Sequence, residues 1–126
     1  MQIKEKKVGK SRTEFFPEEY LKRAIKILKL ISEESKLRIM LLLAKDGPLR
    51  VSQIADLLEM NQTTTSHHLS LLRAADLLVH ERDGKNIYYD INESIWREMG
   101  KEFFDYLQKG NDIHFLGKFI LKRVAR

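Results

Sequence analysis

The chain has 126 residues, 43% of them hydrophobic, with no cysteine and a formal net charge of +5. It is long enough to bury one core without cross-links, and the missing thiols exclude a disulfide framework, a cysteine nucleophile and any thiolate sensor of metals or oxidants. No apolar run approaches a membrane span, and the charged N-terminus has no signal-peptide hydrophobic region, so a cytoplasmic location is expected.

Met1 to Thr13 holds Lys4, Lys6, Lys7, Lys10 and Arg12 with little to pack, and reads as a flexible basic arm over 1–13. Tracking DNA and simple solubility are both open to such an arm. Residues 14–126 read as one domain. Pro17 opens a helix over 17–31, with Glu18 and Glu19 in the first turn, where acids suit the positive helix end. Tyr20, Leu21, Ala24, Ile25, Leu28 and Ile31 form its apolar side. A second helix, from about Glu33 to Lys45, places Leu37, Met40, Leu41 and Ala44 on its core stripe and stops at Asp46-Gly47-Pro48. A third runs from Val51 to around Glu59, with Ile54, Ala55, Leu57 and Leu58 on its apolar side.

Only Glu59, Met60 and Asn61 separate that helix from the next, and Asn61 is a good N-cap. Two short helices joined this way form a helix-turn-helix. In the second of them, over 62–75, Thr65, Leu69 and Leu72 share one stripe. Thr63, Ser66, His67, Ser70 and Ala74 project the opposite way. A helix that only closes a core normally carries Lys and Glu on its outer face. This one carries hydroxyls, imidazole and a methyl, short groups that allow close approach to base edges in a DNA major groove. Beyond it, Leu77 to Arg82 turns at Asp83-Gly84 into Lys85 to Ile91, where Ile87, Tyr89 and Ile91 alternate with Tyr88 and Asp90. Asp-Gly between two such runs signals a hairpin. The expected fold is therefore mainly α with a β-hairpin wing: a winged helix-turn-helix.

Asn92 caps a long helix over about 93–109 that contains Ile95, Trp96, Met99, Phe103, Tyr106 and Leu107. A last segment, over 113–125, places Leu116, Phe119, Ile120 and Val124 at helical spacing. One winged helix cannot cover all this terminal apolar surface.

Several segments together resemble the ArsR (arsenic-repressor) family of small transcription regulators. They are Ile31 to Met40, Val51 to Leu58, the Ser66-His67-His68-Leu69 match to a Ser-x-His-Leu signature, Leu77-Leu78, and Gly84 to Tyr89 of the wing. The resemblance spans roughly residues 20–107. Glu59 departs from the Gly that the family often has in the turn, and Thr63 from a common Pro. The resemblance implies a homodimer paired through the first and last helices, here through Leu21, Ile25, Leu28, Trp96, Phe103, Tyr106, Leu107, Phe115, Phe119 and Ile120. It also implies a regulator, expected to be a repressor, reading an inverted repeat in double-stranded DNA.

The candidate DNA contacts are Gln62, Thr63, Thr64, Ser66, His67, His68, Ser70 and Arg73 of the reading helix, and Arg82, Lys85 and Asn86 of the wing. Lys36, Arg38 and Arg50 are candidate phosphate contacts. The reading element is not itself basic: residues 60–90 hold three basic and four acidic side chains, against nine and four in residues 1–29. Phosphate neutralisation, the main source of non-specific affinity, must come from scattered cations, with the basic arm a further source open to it.

The family's metal sites do not carry over. A Cys-Val-Cys-like pair would fall on Arg50 and Ser52, and the helix after the wing has carboxylates but no histidine. Adjacent His67 and His68 point about 100° apart on a helix, so they do not share one ion easily. No metal or cofactor is expected, the sequence leaves any effector unknown, and no Gly-rich phosphate loop or oriented nucleophile suggests an enzyme. Two other readings remain: a winged-helix protein-interaction module with little specific DNA binding, and a metal-responsive repressor using an unfamiliar His and carboxylate site, for example through His114.

Overall fold

The structure, a computed structural model, describes residues 17–107 and the strands Asp112–Phe115 and Phe119–Lys122. Helices α1 (Glu18–Ile31) and α2 (Glu34–Asp46) are followed by a short strand β1 (Leu49–Arg50) and helices α3 (Val51–Leu58) and α4 (Gln62–Ala74). Strands β2 (Leu78–Asp83) and β3 (Asn86–Ile91) form the wing, helix α5 (Glu93–Leu107) comes after it, and β4 (Asp112–Phe115) and β5 (Phe119–Lys122) close the order. The first sheet is antiparallel in the order β1-β3-β2. Among the described residues no helix is long and apolar enough to cross a membrane.

The core sits where α2, α3, α4 and the start of β2 meet. Ile39 and Leu43 of α2, Ile54 of α3, Leu69 and Leu72 of α4, and Leu77 have almost no exposed surface. Each such side chain contributes about 1.5–3 kcal/mol by leaving water. Tyr20 and Ile27 of α1 and Met99 of α5 lie at its edge, and the Tyr20 hydroxyl donates to the Met99 carbonyl at 3.1 Å, joining the two terminal helices.

Helix α1 carries two apolar stripes. Tyr20 and Ile27 face the core, whereas Ile25 and Leu28 stay exposed, Leu28 at 61%. The stripe expected on α2 is corrected. Ile39, Met40 and Leu43 point inward, and Leu37, Leu41 and Ala44 face out. Residues 39–44 are apolar on every side, so spacing alone does not choose a face.

Strand β3 does not show the expected alternation, since Ile87 to Ile91 are all half-buried. It is the central strand, paired on both edges. Asp90 is further covered by Gly47, where a Cβ would come within 2.5 Å of its Oδ1. The pairing of Asp83 with Asn86 makes Gly84 and Lys85 the loop residues, one position later than the Asp-Gly reading. Gly84 supplies the positive φ, +62°, that this tight turn needs at its first central position.

The C-terminal expectation is also corrected. In place of the helix expected over 113–125, the described residues Asp112–Phe115 and Phe119–Lys122 pair as antiparallel strands, Ile113 opposite Leu121 and Phe115 opposite Phe119. Asp112-Ile113-His114-Phe115 alternates polar and apolar residues, and β-branched and aromatic residues favour strands. The helical spacing of Leu116, Phe119 and Ile120 coexisted with that period of two. The side chains of Phe115, Phe119, Ile120 and His114, and the arm over 1–13, lie outside the described residues.

Candidate nucleic-acid interface

Helix α4 follows a turn closed by backbone conformation. Glu59 ends α3 in the left-handed region, at φ 53° and ψ 46°, so a glycine there would be free of the steric cost that an L side chain meets. The chain then reverses to Asn61, whose Oδ1 accepts from the backbone N–H of Thr63 at 2.8 Å and of Thr64 at 3.2 Å. That cap satisfies two of the helix's unpaired N-terminal donors.

The two faces of α4 differ sharply. Thr65, Leu69 and Leu72 are fully buried, and Thr65 spends its hydroxyl locally, donating to the Asn61 carbonyl at 2.8 Å. Gln62, Thr63, Thr64, Ser66, His67, Ser70 and Arg73 are exposed. The Ser70 hydroxyl donates back to the Ser66 carbonyl at 3.0 Å, leaving its oxygen free to accept from outside. No acid lies on α4, so nothing on its outer edge repels a polyanion. Toward its C-terminal end, Ser70, Arg73 and Ala74 line a groove with Val79 and His80 of β2, which joins the helix to the wing.

Two expected contacts are removed from this surface. His68 is only 9% exposed and turns inward, with Nε2 3.6 Å from Glu33 Oε1. Lys36 is 6% exposed and ion-paired to Glu33 Oε2. Both are buried, away from the exposed edge of α4. The hydrogen bond from the Lys36 ammonium holds the Glu33 carboxyl below its ordinary range, and the remaining attraction of Lys36 and of the two neighbouring imidazoles works in the same direction. Sequence reasoning passed over Glu33 because its partners lie on another turn and another helix. Its position at the N-cap of α2, where it makes no cap hydrogen bond, gave no signal of that role.

The other cations differ in availability. Arg38 is exposed, but its Nε and Nη2 donate to Glu34 Oε1 at 3.1 and 2.8 Å. Arg50 is half-buried at the start of α3, where its backbone N–H donates to Gln53 Oε1 at 2.9 Å. Arg82, Lys85 and Asn86 are all exposed around the tip of the wing.

The residues expected at a subunit interface separate into two groups. Ile25, Leu28, Phe103, Tyr106 and Leu107 are exposed, and Leu21 is half-buried. Tyr106 meets the core-facing Tyr20 edge to face with centroids 5.3 Å apart, which sets α5 against α1. Trp96 instead packs against the core, and its Nε1–H donates to the Leu77 carbonyl at 3.4 Å. Among the described residues, no three His, Asp or Glu side chains gather as metal ligands would.

Comparison with known proteins agrees with this architecture. Residues 33–79 match the family model described as "Bacterial regulatory protein, arsR family". A helix-turn-helix-type transcriptional regulator of Methanocaldococcus jannaschii is 33% identical over 78 residues, covering 61% of this chain and 88% of that protein. The transcriptional repressor SdpR of Bacillus subtilis is 28% identical over 86 residues, covering 68% and 94%. The solution structure of a homodimeric winged helix-turn-helix DNA-binding domain from Mycobacterium bovis superposes with a TM-score of 0.59 at 28% identity, covering 77% of this chain and 87% of that one.

Proposed function

The chain belongs to the ArsR family of bacterial regulatory proteins, a family of transcription regulators rather than enzymes, and from that premise we propose that it is a homodimeric repressor that reads an inverted repeat in double-stranded DNA through α4 and the wing. One observation carries this reading. The exposed edge of α4, from Gln62 to Ser70, is free of acids and bulky side chains, while its opposite face is anchored in the core. An edge of this kind enters a major groove. There Gln pairs in bidentate fashion with adenine, hydroxyls and imidazole meet either donors or acceptors, and Thr methyls contact the thymine methyl. The N-terminal end of a helix also attracts phosphate.

Dimerisation is supported by the outward apolar stripe of α1, the exposed apolar residues of α5, and the homodimeric state of the M. bovis domain. Two-fold symmetry then places two copies of α4 in successive major grooves, about 34 Å apart. Repression is supported by the named activity of SdpR. The protein-interaction alternative draws on the single basic residue of α4, Arg73, because phosphate neutralisation dominates non-specific affinity. A gel shift with the DNA upstream of the protein's own gene separates the two. Retardation that survives excess competitor DNA supports the operator reading, and retardation that competitor abolishes contradicts it.

A further inference from the structure

The buried face of α4 is held almost entirely by apolar contacts. Leu69 and Leu72 fix its distance from α2 and α3, but hydrophobic burial has no direction, so those contacts alone tolerate a roll of the helix about its axis. Thr65 does not resist such a roll, because its hydroxyl bonds within its own helix, to Asn61. Among the described residues, a polar contact also reaches from the underside of α4 to the start of α2. His68 Nε2 stands 3.6 Å from Glu33 Oε1, while the second oxygen of that carboxylate is occupied by Lys36.

The surroundings of His68 define the contact further. Its Nδ1 is buried and has no hydrogen-bond partner among the described residues. Nε2 is therefore the ring nitrogen through which His68 approaches the Glu33 carboxylate. Glu33 does not cap α2. Its carboxylate, pulled one way by Lys36, is held where His68 meets it.

We propose that Glu33 and His68 form a latch that sets the roll of α4 and so determines how its outer edge meets base pairs, which makes His68 a specificity-positioning residue that never touches DNA. The immediate neighbour of His68 in sequence is His67, on the exposed edge. A roll that released His68 would therefore swing His67, Ser66 and Ser70 across the groove. Phosphate contacts, which depend on charge and reach, would change far less than contacts to base edges. This inference rests on the DNA-reading function proposed above.

The test begins by selecting a duplex from a random pool with the wild-type protein. Affinity for that duplex and for a scrambled one is then measured by fluorescence anisotropy for wild type, His68→Leu, Glu33→Gln, the double variant and His68→Gln, with folding followed by circular dichroism. His68→Leu and Glu33→Gln should each lower the ratio of selected to scrambled affinity about tenfold, leaving scrambled affinity and its salt dependence unchanged. The double variant should lose no more than Glu33→Gln alone, since that change already removes the contact with His68 together with the ion pair to Lys36. His68→Gln should restore most of the ratio, because its amide N–H can donate to the Glu33 carboxylate. If His68→Leu does not fold, Glu33→Gln, altered at a half-exposed carboxylate, still decides the matter. A wild-type ratio in Glu33→Gln, additive losses in the double variant, or a His68→Gln no better than His68→Leu would each overturn the latch alone. Failure of the wild-type protein to enrich any duplex would overturn the DNA-reading function, and the latch with it.

Discussion

Replacing Asn61 by Ala isolates the device that starts the reading helix. Asn61 sits at φ −65° and ψ 135°, a conformation that Ala adopts without strain. The change therefore removes only the two hydrogen bonds that its Oδ1 accepts, at 2.8 Å from Thr63 and 3.2 Å from Thr64. N-cap losses run from about 0.5 to 2 kcal/mol. Asn61, Thr63 and Thr64 are all exposed, so water takes over the abandoned donors and the cost falls near the middle of that range, about 1 kcal/mol. For a domain of this size that is a fall in Tm of about 3–5 °C. Asn61→Gly should cost only a few tenths of a kcal/mol and Asn61→Asp almost nothing, since both are good caps. Urea and thermal unfolding of the four proteins at one concentration provide the assay. If Asn61→Ala unfolds with the wild-type midpoint, or if Ala and Gly are equally damaging, the cap does not stabilise α4 in the way its geometry indicates.

Glu59→Gly should stabilise the protein by about 0.5–1 kcal/mol, because the relief of a left-handed L residue, about 1–2 kcal/mol, exceeds the added freedom of the unfolded glycine. A lower unfolding midpoint in this variant would contradict that balance. Leu28→Glu places a charge on the outward stripe of α1 and should convert a dimer to a monomer, read by light scattering at micromolar protein. A monomeric wild type would refute this assignment of the apolar surface, as would a dimeric variant. Arg82→Ala should weaken DNA binding and reduce the slope of log affinity against log salt by about one, and an unchanged slope would remove the wing tip from the interface.

The parts of the fold readable from sequence are those fixed by local chemistry. Asn61 before a polar-faced helix, Asp46-Gly47-Pro48 after an apolar one, and Gly84 between two strand-like runs each act within a few residues, and each lies at or beside the boundary the structure shows. What failed depended on partners distant in sequence or on ambiguous periods. The inward turn of His68 is met by Glu33, at the start of a different helix, and its membership of a signature on a DNA-facing helix suggested an outward role. Lys36 looked like a free cation because its burial appears only in the folded chain. The core face of α2 was hidden by apolar residues on all sides, and the C-terminal strands by a segment that satisfies both a helical and an alternating pattern. The short strand β1 had no signal of its own, being two residues long and defined only by pairing with β3.

The central claim is that the exposed edge of α4 reads bases. Its most direct test is the affinity of wild type and His67→Ala for a duplex selected by the wild-type protein and for a scrambled duplex of the same length. His67 is exposed on that edge and belongs to no part of the core, so its loss should leave the fold intact. The account predicts that wild type prefers the selected duplex. It also predicts that His67→Ala gives up about 1–3 kcal/mol of affinity there and almost none on the scrambled one. Equal losses on both duplexes would mean that His67 meets only phosphate, and a wild-type protein with no preference would contradict base reading altogether.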